Sequence, residues 1–202
     1  MENKFSKEIR ADEDAFYMSN PEISAKYLAS KLSNYKSAVE LCSAVGVTCI
    51  CLAEKIDKVY GVELDKMRIE DAKYNAKLYG VDEKIEFING NVLDEDILKN
   101  INADVAVLDP DWSVDKSRPK DHAFNLSDTK PNVVELFNKV RDNITHNIVI
   151  RVSKNFSLET LKTVGMCHVD NIIYEGRIRF KYAYFGDDIK EMSEEDIILD
   201  RE

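Results

Sequence analysis

From Ala38 onward, short apolar runs alternate with longer stretches whose apolar residues recur at helical spacing. The runs predict strands at residues 38–41, 59–62, 85–88, 105–108 and 147–152. The stretches between them predict a helix after Gly46, one over 66–79, a short one around 95–100 and one after Pro131. Strand and helix in such regular turn imply a parallel, doubly wound sheet with crossover helices.

Both ends depart from this rhythm. Residues 21–32 carry Ile23, Tyr27, Leu28 and Leu32 at helical spacing, with Ser19 or Asn20 as cap and Pro21 in the first turn, so one helix is expected before the core. Near the other end, β-rich runs at 169–174 and 178–185 flank Glu175-Gly176-Arg177, which predicts an antiparallel hairpin turning at Gly176. The acidic stretch 187–202 reads as a solvated, partly helical end without a function. The chain then divides into a helical extension (1–36) packed on the core, a catalytic domain (37–187) and an acidic tail (188–202). No Pro/Gly/Ser-rich linker interrupts the 202 residues, so one domain is expected overall.

Composition narrows the function. A formal net charge of -10 argues against broad attraction to nucleic acid, so any such contact must be local. No apolar run approaches the roughly 18 residues that span a bilayer, and the polar start lacks a signal peptide's apolar stretch, so a cytoplasmic protein without membrane contact is expected. Cys42, Cys49, Cys51 and Cys167 show no paired ligand spacing, and buried free thiols rather than a metal site are expected.

Three strand ends carry the makings of a nucleotide-type pocket. Glu40-Leu41-Cys42-Ser43-Ala44-Val45-Gly46 is a small-residue turn running into a helix, where backbone passes close to a ligand or simply packs tightly. Glu63, at the next strand end, can accept both hydroxyl hydrogens of a ribose, while Asp65 caps the following helix. Asn89-Gly90-Asn91-Val92 can read an adenine edge, or be an ordinary Asn-Gly turn. Successive strand ends of a doubly wound sheet share one rim, where ligands bind.

The fourth strand ends on that rim in Asp109-Pro110-Asp111-Trp112. The lone pair of an exocyclic amine on a base is delocalised into the ring, so acceptors that favour a tetrahedral nitrogen help methylate it; Asp109 and the Pro110 carbonyl can supply them. Trp112 offers a face on which a purine can stack, worth on the order of 1–3 kcal/mol. A core anchor for Trp112 and turn caps for Asp109 and Asp111 are the structural alternatives. Lys116, Arg118, Lys120 and His122 follow in a polar loop and form either a local phosphate clamp or a solvated surface.

Together these residues resemble the trimethylguanosine synthase family, the RNA cap guanine-N2 methyltransferases, over about residues 5–187. The resemblance is carried by Phe5-Ser6, by the aromatic segment Ala15-Phe16-Tyr17-Met18-Ser19-Asn20-Pro21-Glu22, by Tyr74-Asn75-Ala76-Lys77-Leu78-Tyr79-Gly80-Val81, and by Lys84-Ile85-Glu86-Phe87-Ile88. Asn20 stands where the family has Thr. Asp109-Pro110-Asp111-Trp112 keeps Pro110 and Trp112 of the family's Ser-Pro-Pro-Trp-Gly-Gly turn, and Asp109 is similar to the Asp-Pro-Pro-aromatic turn of other amino-group methylases. Lys154-Asn155 lies where the family has Arg-Asn near a cap phosphate, and 181–187 resembles its final strand.

The resemblance implies a class I methyltransferase fold, Rossmann-like, with a mostly parallel seven-stranded sheet and an antiparallel C-terminal hairpin. It implies S-adenosylmethionine as cofactor, held by Phe5, Asn20, Glu40, Cys42, Gly46, Glu63, Leu64, Asn91, Val92 and Asp109. Asp109, Pro110, Asp111 and Trp112 would form the catalytic turn, with Trp112, Lys116, Arg118, Lys154 and Asn155 contacting substrate. The activated sulfonium needs no metal or covalent intermediate. The expected reaction is methylation of an exocyclic amine of an RNA base, guanine N2 first, through a local RNA-contacting surface; the sequence sets no oligomeric state. The alternatives are adenine or a protein side-chain amine as acceptor, a cofactor-binding protein without turnover and, more distantly, a nicotinamide oxidoreductase.

Overall fold

The computed structural model describes residues 4–112 and 125–199. Eight strands form one sheet: β1 (Ser37–Leu41), β2 (Lys58–Glu63), β3 (Ile85–Asn89), β4 (Val105–Leu108), β5 (Ile148–Ser153), β6 (His168–Tyr174), β7 (Arg177–Phe185) and β8 (Ser193–Ile198). Their spatial order is β3-β2-β1-β4-β5-β7-β6-β8. The first five run parallel, β7 is antiparallel to β5 and β6, and β8 is parallel to β6. The parallel order reverses between β1 and β4, the topological switch point at which a doubly wound sheet opens a crevice.

Helices α1 (Glu13–Met18), α2 (Glu22–Lys31), α3 (Val47–Ala53), α4 (Lys66–Tyr79), α5 (Glu95–Leu98), α6 (Val133–Asn143) and α7 (Leu158–Lys162) complete the chain, with two short 3-10 turns. Strand residues alternate between two cores. Leu41, Ala106, Leu108, Ile148 and Ile150 meet Leu136, Phe137 and Val140 of α6 on one face. On the other, Ala38, Val105, Val107 and Val149 meet Leu28 of α2 and Cys49 and Leu52 of α3. A strand buried on both faces reads as a continuous apolar run, which is why β1, β4 and β5 stand out in the sequence.

Four expectations need correction. The sheet has eight strands, not seven, because the acidic tail contributes β8 rather than a partly helical end. This strand is polar for a reason: it is the sheet edge, largely exposed, and its acids are paired instead of packed. Asn171 Nδ2 donates to Glu194 and Asp196, and Lys31 reaches Glu195 at 3.3 Å. Two helices, not one, precede the core, since Asp12 caps α1 by accepting from the Ala15 amide. The α2 cap is Pro21, without a side-chain bond, because Asn20 spends its side chain on Tyr182 and Ser24. The short helix α7 follows Ser157, whose hydroxyl accepts from the Thr160 amide. Two local expectations hold: Asp65 caps α4, and Glu175 and Gly176 turn the β6–β7 hairpin at φ 54° and 70°.

Candidate active site

A cavity of about 1040 Å³ lies at the switch point, walled by the C-terminal ends of β1, β2, β4 and β5 and by the residues just after α1. Among the described residues, Asn20, Glu40, Cys42, Glu63, Leu64, Asn91, Val92, Asp109, Pro110, Asp111, Trp112 and Asn155 line it. The structure thus brings together most of the residues singled out from sequence.

The loop after β1 sets one wall. Cys42, Ala44 and Gly46 all have positive φ, at 69°, 45° and 82°, so the loop adopts a backbone usually built from glycine while keeping two β-carbons. Val62 accepts from both the Cys42 and Ser43 amides, at 2.9 and 3.0 Å, which ties the loop to β2. Glu63 braces it: its two carboxylate oxygens accept from the Ala44 and Asp65 amides, each at 2.9 Å. Asn89 holds the adjoining turn by donating to the Glu63 and Leu64 carbonyls. Asn91 folds back on itself, accepting from the Leu93 amide at 3.0 Å. Leu64 is 71% exposed at the mouth, whereas Val92 is buried.

Glu40 sits at the base of this wall, where its carboxylate accepts from the backbone amide and the thiol of Cys49, both at 3.0 Å. Burial pushes its carboxyl up to about 8; the donors on Cys49 and Thr48 oppose the shift, and the nearby charge of Asp109 adds to it. Beside it, Asn20 donates to the Tyr182 hydroxyl at 2.6 Å. The hydroxyl of Ser43 is buried without a hydrogen-bond partner among the described residues.

The opposite wall is the turn after β4. The Asp109 amide donates to Leu41, and Asp111 and Lys130 exchange backbone hydrogen bonds of 2.9 Å, which fixes the turn at both ends. Arg151 of β5 donates to both Asp109 oxygens, at 3.1 and 2.8 Å. Burial raises the Asp109 carboxyl above its usual range, while Arg151, a hydrogen bond from Trp112 and the charge of Lys4 pull the other way. Lys4 in turn is held down to about 8, by burial first and then by Arg151, and its ammonium donates to the Phe16 and Tyr17 carbonyls at 2.8 Å.

Three expected site residues lie off the cavity. Phe5 is buried edge-on against Phe16 with ring centres 5.3 Å apart, because its apolar area is hidden under α1. Gly46 turns the loop, but a β-carbon there would meet the Phe87 ring at 3.0 Å, so its close approach is to protein rather than to the cavity. Lys154 is exposed while its neighbours Ser153 and Asn155 line the cavity. Lys116, Arg118, Lys120 and His122 lie outside the described residues. Conversely, Arg151 lines the cavity but escaped the sequence reading; an arginine inside an apolar strand is the signal that could have found it.

All four cysteines are free, and Cys42 alone of them is half-buried on the cavity. Away from the cavity, His168, Asp170 and Glu195 have potential ligand atoms within 4.8 Å of one another, but the Lys31 ammonium lies 3.5 Å from Asp170 and 3.3 Å from Glu195, so a cation already balances the acids. No helix among the described residues is long and apolar enough to cross a membrane.

A doubly wound parallel sheet, an antiparallel β6–β7 hairpin and a cavity at the β1/β4 switch point together define a class I methyltransferase. Residues 35–188 match the model of the RNA cap guanine-N2 methyltransferase family, and the chain belongs to that family. It is accordingly an S-adenosylmethionine-dependent RNA methyltransferase. Trimethylguanosine synthase of Schizosaccharomyces pombe is 24% identical over 196 residues, 91% of this chain and 81% of that protein. An uncharacterized RNA methyltransferase of Clostridium tetani is 35% identical over 105 residues, but these cover only 48% of this chain and 22% of that one. Among solved structures, a putative methyltransferase from Porphyromonas gingivalis W83 superposes with a TM-score of 0.72 at 14% identity, covering 88% of this chain and 43% of its own. TrmK of M. capricolum, in complex with S-adenosyl-homocysteine, gives 0.58 at 15% identity, covering 87% and 71%. These two likenesses concern the fold.

The residues present suit the cofactor. Glu40 is a buried carboxyl on the cavity with no cation paired to it among the described residues, and the buried hydroxyl of Ser43 beside it has no hydrogen-bond partner among them, a set matched to a ligand that is both cationic and rich in hydrogen-bonding groups.

Proposed function

We propose that this chain methylates an exocyclic amine of an RNA base, guanine N2 first. The observation that carries the reading is that Asp109, Pro110 and Trp112 line the same cavity as the loop of Cys42 and Ser43. The name of the Schizosaccharomyces pombe relative, aligned along nearly the whole chain, favours guanine.

In this reading Glu40, Asn20 and the loop backbone hold the amino-acid end of S-adenosylmethionine, and Glu63 its ribose, each Glu63 oxygen having a lone pair beyond its amide bond. Leu64, Asn91 and Val92 flank the adenine. The cofactor supplies a methyl group already activated on sulfur. The protein's own part is to place the amine. Trp112 would stack on the base, and the Pro110 carbonyl and Asp109 would accept the amine hydrogens and so orient the nitrogen lone pair, with Asp109 the acceptor at hand for the proton that the amine loses as it gains the methyl and the carbon–sulfur bond breaks. Asn155 would contact the RNA backbone.

The test is to incubate purified protein and S-adenosylmethionine with undermethylated small RNA, including capped RNA, then digest it and identify nucleosides by mass spectrometry. The expected product is N2-methylguanosine. A methyl group on another base reassigns the acceptor, and no gain in any nucleoside overturns the reading.

A further inference from the structure

The guanidinium of Arg151 joins parts of the acceptor wall that are distant in sequence. Its Nη1 donates to both oxygens of Asp109, at 3.1 and 2.8 Å, and to the Met18 carbonyl at 3.2 Å. The same group lies 5.3 Å from the ring centre of Trp112, which itself hydrogen-bonds Asp109. Both side chains of the ion pair are deep, 7% exposed for Arg151 and 14% for Asp109. Among the described residues the Nε donor of Arg151 is buried without an acceptor, so the side chain is not placed to saturate its own hydrogen bonds there. What its placement does achieve is a cation against Asp109.

A carboxylate at this depth without a cation takes up a proton, and a protonated acid turns one of its acceptor oxygens into a donor. We propose that Arg151 is a positioning residue for methyl transfer: it keeps Asp109 ionised and fixes the Trp112 ring, so that the incoming amine meets a charged acceptor beside its stacking face. The proposal rests on the reading of Asp109 as an acceptor for the amine.

Among the described residues, the titratable and charged groups around Asp109 are Lys4 from the N-terminal segment, Glu40 on β1, Cys42 on the following loop, Asp111 in the turn itself, Arg151 on β5 and Tyr182 on β7. Of these, Lys4 and Arg151 are cations, and Lys4 directs its hydrogen bonds to backbone carbonyls. Arg151 therefore carries the main burden of neutralising Asp109.

Trp112 is the chain's single tryptophan, which makes its emission a reporter of this pair. The experiment titrates tryptophan fluorescence against pH in the wild type and in Arg151→Gln, Arg151→Lys, Asp109→Asn and the Asp109→Asn/Arg151→Gln double variant. Arg151→Gln should move the acid transition of the emission up by about 1–3 pH units, the usual effect of an adjacent opposite charge. Arg151→Lys should move it less, and the transition should vanish in both proteins that lack Asp109. Methyl transfer by Arg151→Gln, measured on whichever nucleoside the wild type modifies, should fall at low pH and recover with the same midpoint. An unmoved midpoint in both Arg151 variants overturns the proposal. Should Arg151→Gln fail to fold, Arg151→Lys and Asp109→Asn still decide it. The emission is read without RNA, so an error in the choice of base appears only in the product nucleosides.

Discussion

The two walls of the cavity hold their carboxylates by opposite means. On the β1–β2 wall, Glu63 is braced by amides within two residues of its own strand end or on the neighbouring loop, and Glu40 by the amide and thiol of Cys49 at the start of α3. On the β4 wall, Asp109 is held by the guanidinium of Arg151, 42 residues further on. Burial pushes the Glu40 carboxyl up to about 8, and the donors on Cys49, which add no net charge, offset only part of it. The Arg151–Asp109 pair is neutral as it stands. One wall thus has a vacancy for positive charge and the other does not, a division suited to a cationic cofactor on the first side and an uncharged base on the second.

The largest effect that would test this division is on the acceptor wall. Trp112→Ala removes the stacking face and one donor to Asp109 but leaves Glu40, Glu63 and the Cys42–Gly46 loop untouched. Turnover is expected to fall by about 5- to 150-fold, the equivalent of 1–3 kcal/mol of stacking. Cofactor affinity, followed by calorimetry, should change less than about twofold if the walls act separately. Unchanged turnover would remove Trp112 from the mechanism, and a matched loss of cofactor binding would merge the two walls into one.

The same contrast explains what could be read from the sequence. The β1–β2 wall is built from strand, small-residue turn and helix in unbroken succession, so Glu40, Cys42 and Glu63 announce themselves by local pattern. Even its odd feature, positive φ at Cys42 and Ala44, is hinted at by residues standing where glycine is customary. The partner of Asp109 could not be reached that way. It depends on β4 and β5 being neighbours and on Arg151 facing the cavity from the middle of an apolar run. The strand β8 was hidden for a related reason: a largely exposed edge strand shows no apolar alternation, and beside its backbone ladder with β6 its acids bond Asn171 and Lys31. Phe5 shows the converse limit: a resemblance in sequence could place it near the site, but its burial against Phe16 of α1 is legible only in the fold.

A smaller effect is expected on the cofactor wall, through pH. An acid whose folded value is raised keeps its proton in the fold, so the free protein should lose stability as pH climbs from the ordinary 4.5 to about 8. A bound cation reverses the preference and favours ionised Glu40, so S-adenosylmethionine affinity should rise across that window, by about tenfold or more between pH 6 and pH 8. Calorimetry in buffers of different ionisation enthalpy would read the released proton directly. Glu40→Gln should flatten the rise and abolish proton release. Lys4, held down to about 8, contributes stability above that pH instead, so it does not imitate the Glu40 signature. A pH-independent affinity in the wild type would mean that Glu40 does not meet the cofactor's charge.

The smallest effect separates the loop's shape from its chemistry. Gly46 and Gly176 both sit in the left-handed region, at φ 82° and 70°, so alanine is strained at either by about 1–2 kcal/mol. They differ in surroundings: a β-carbon at Gly176 meets nothing within 4 Å, whereas one at Gly46 meets the Phe87 ring at 3.0 Å and Ala72 at 3.1 Å. Gly46→Ala should therefore be the less stable by about 1 kcal/mol more, a few degrees in melting temperature for a chain of this size. Gly46→Ala should also weaken cofactor binding modestly, because Phe87 can yield only if the turn ahead of α3 shifts, and Gly176→Ala should not affect it. Equal melting temperatures would show that Phe87 gives way freely, and that the Cys42–Gly46 turn is shaped by its backbone hydrogen bonds to Val62 rather than by packing against β3.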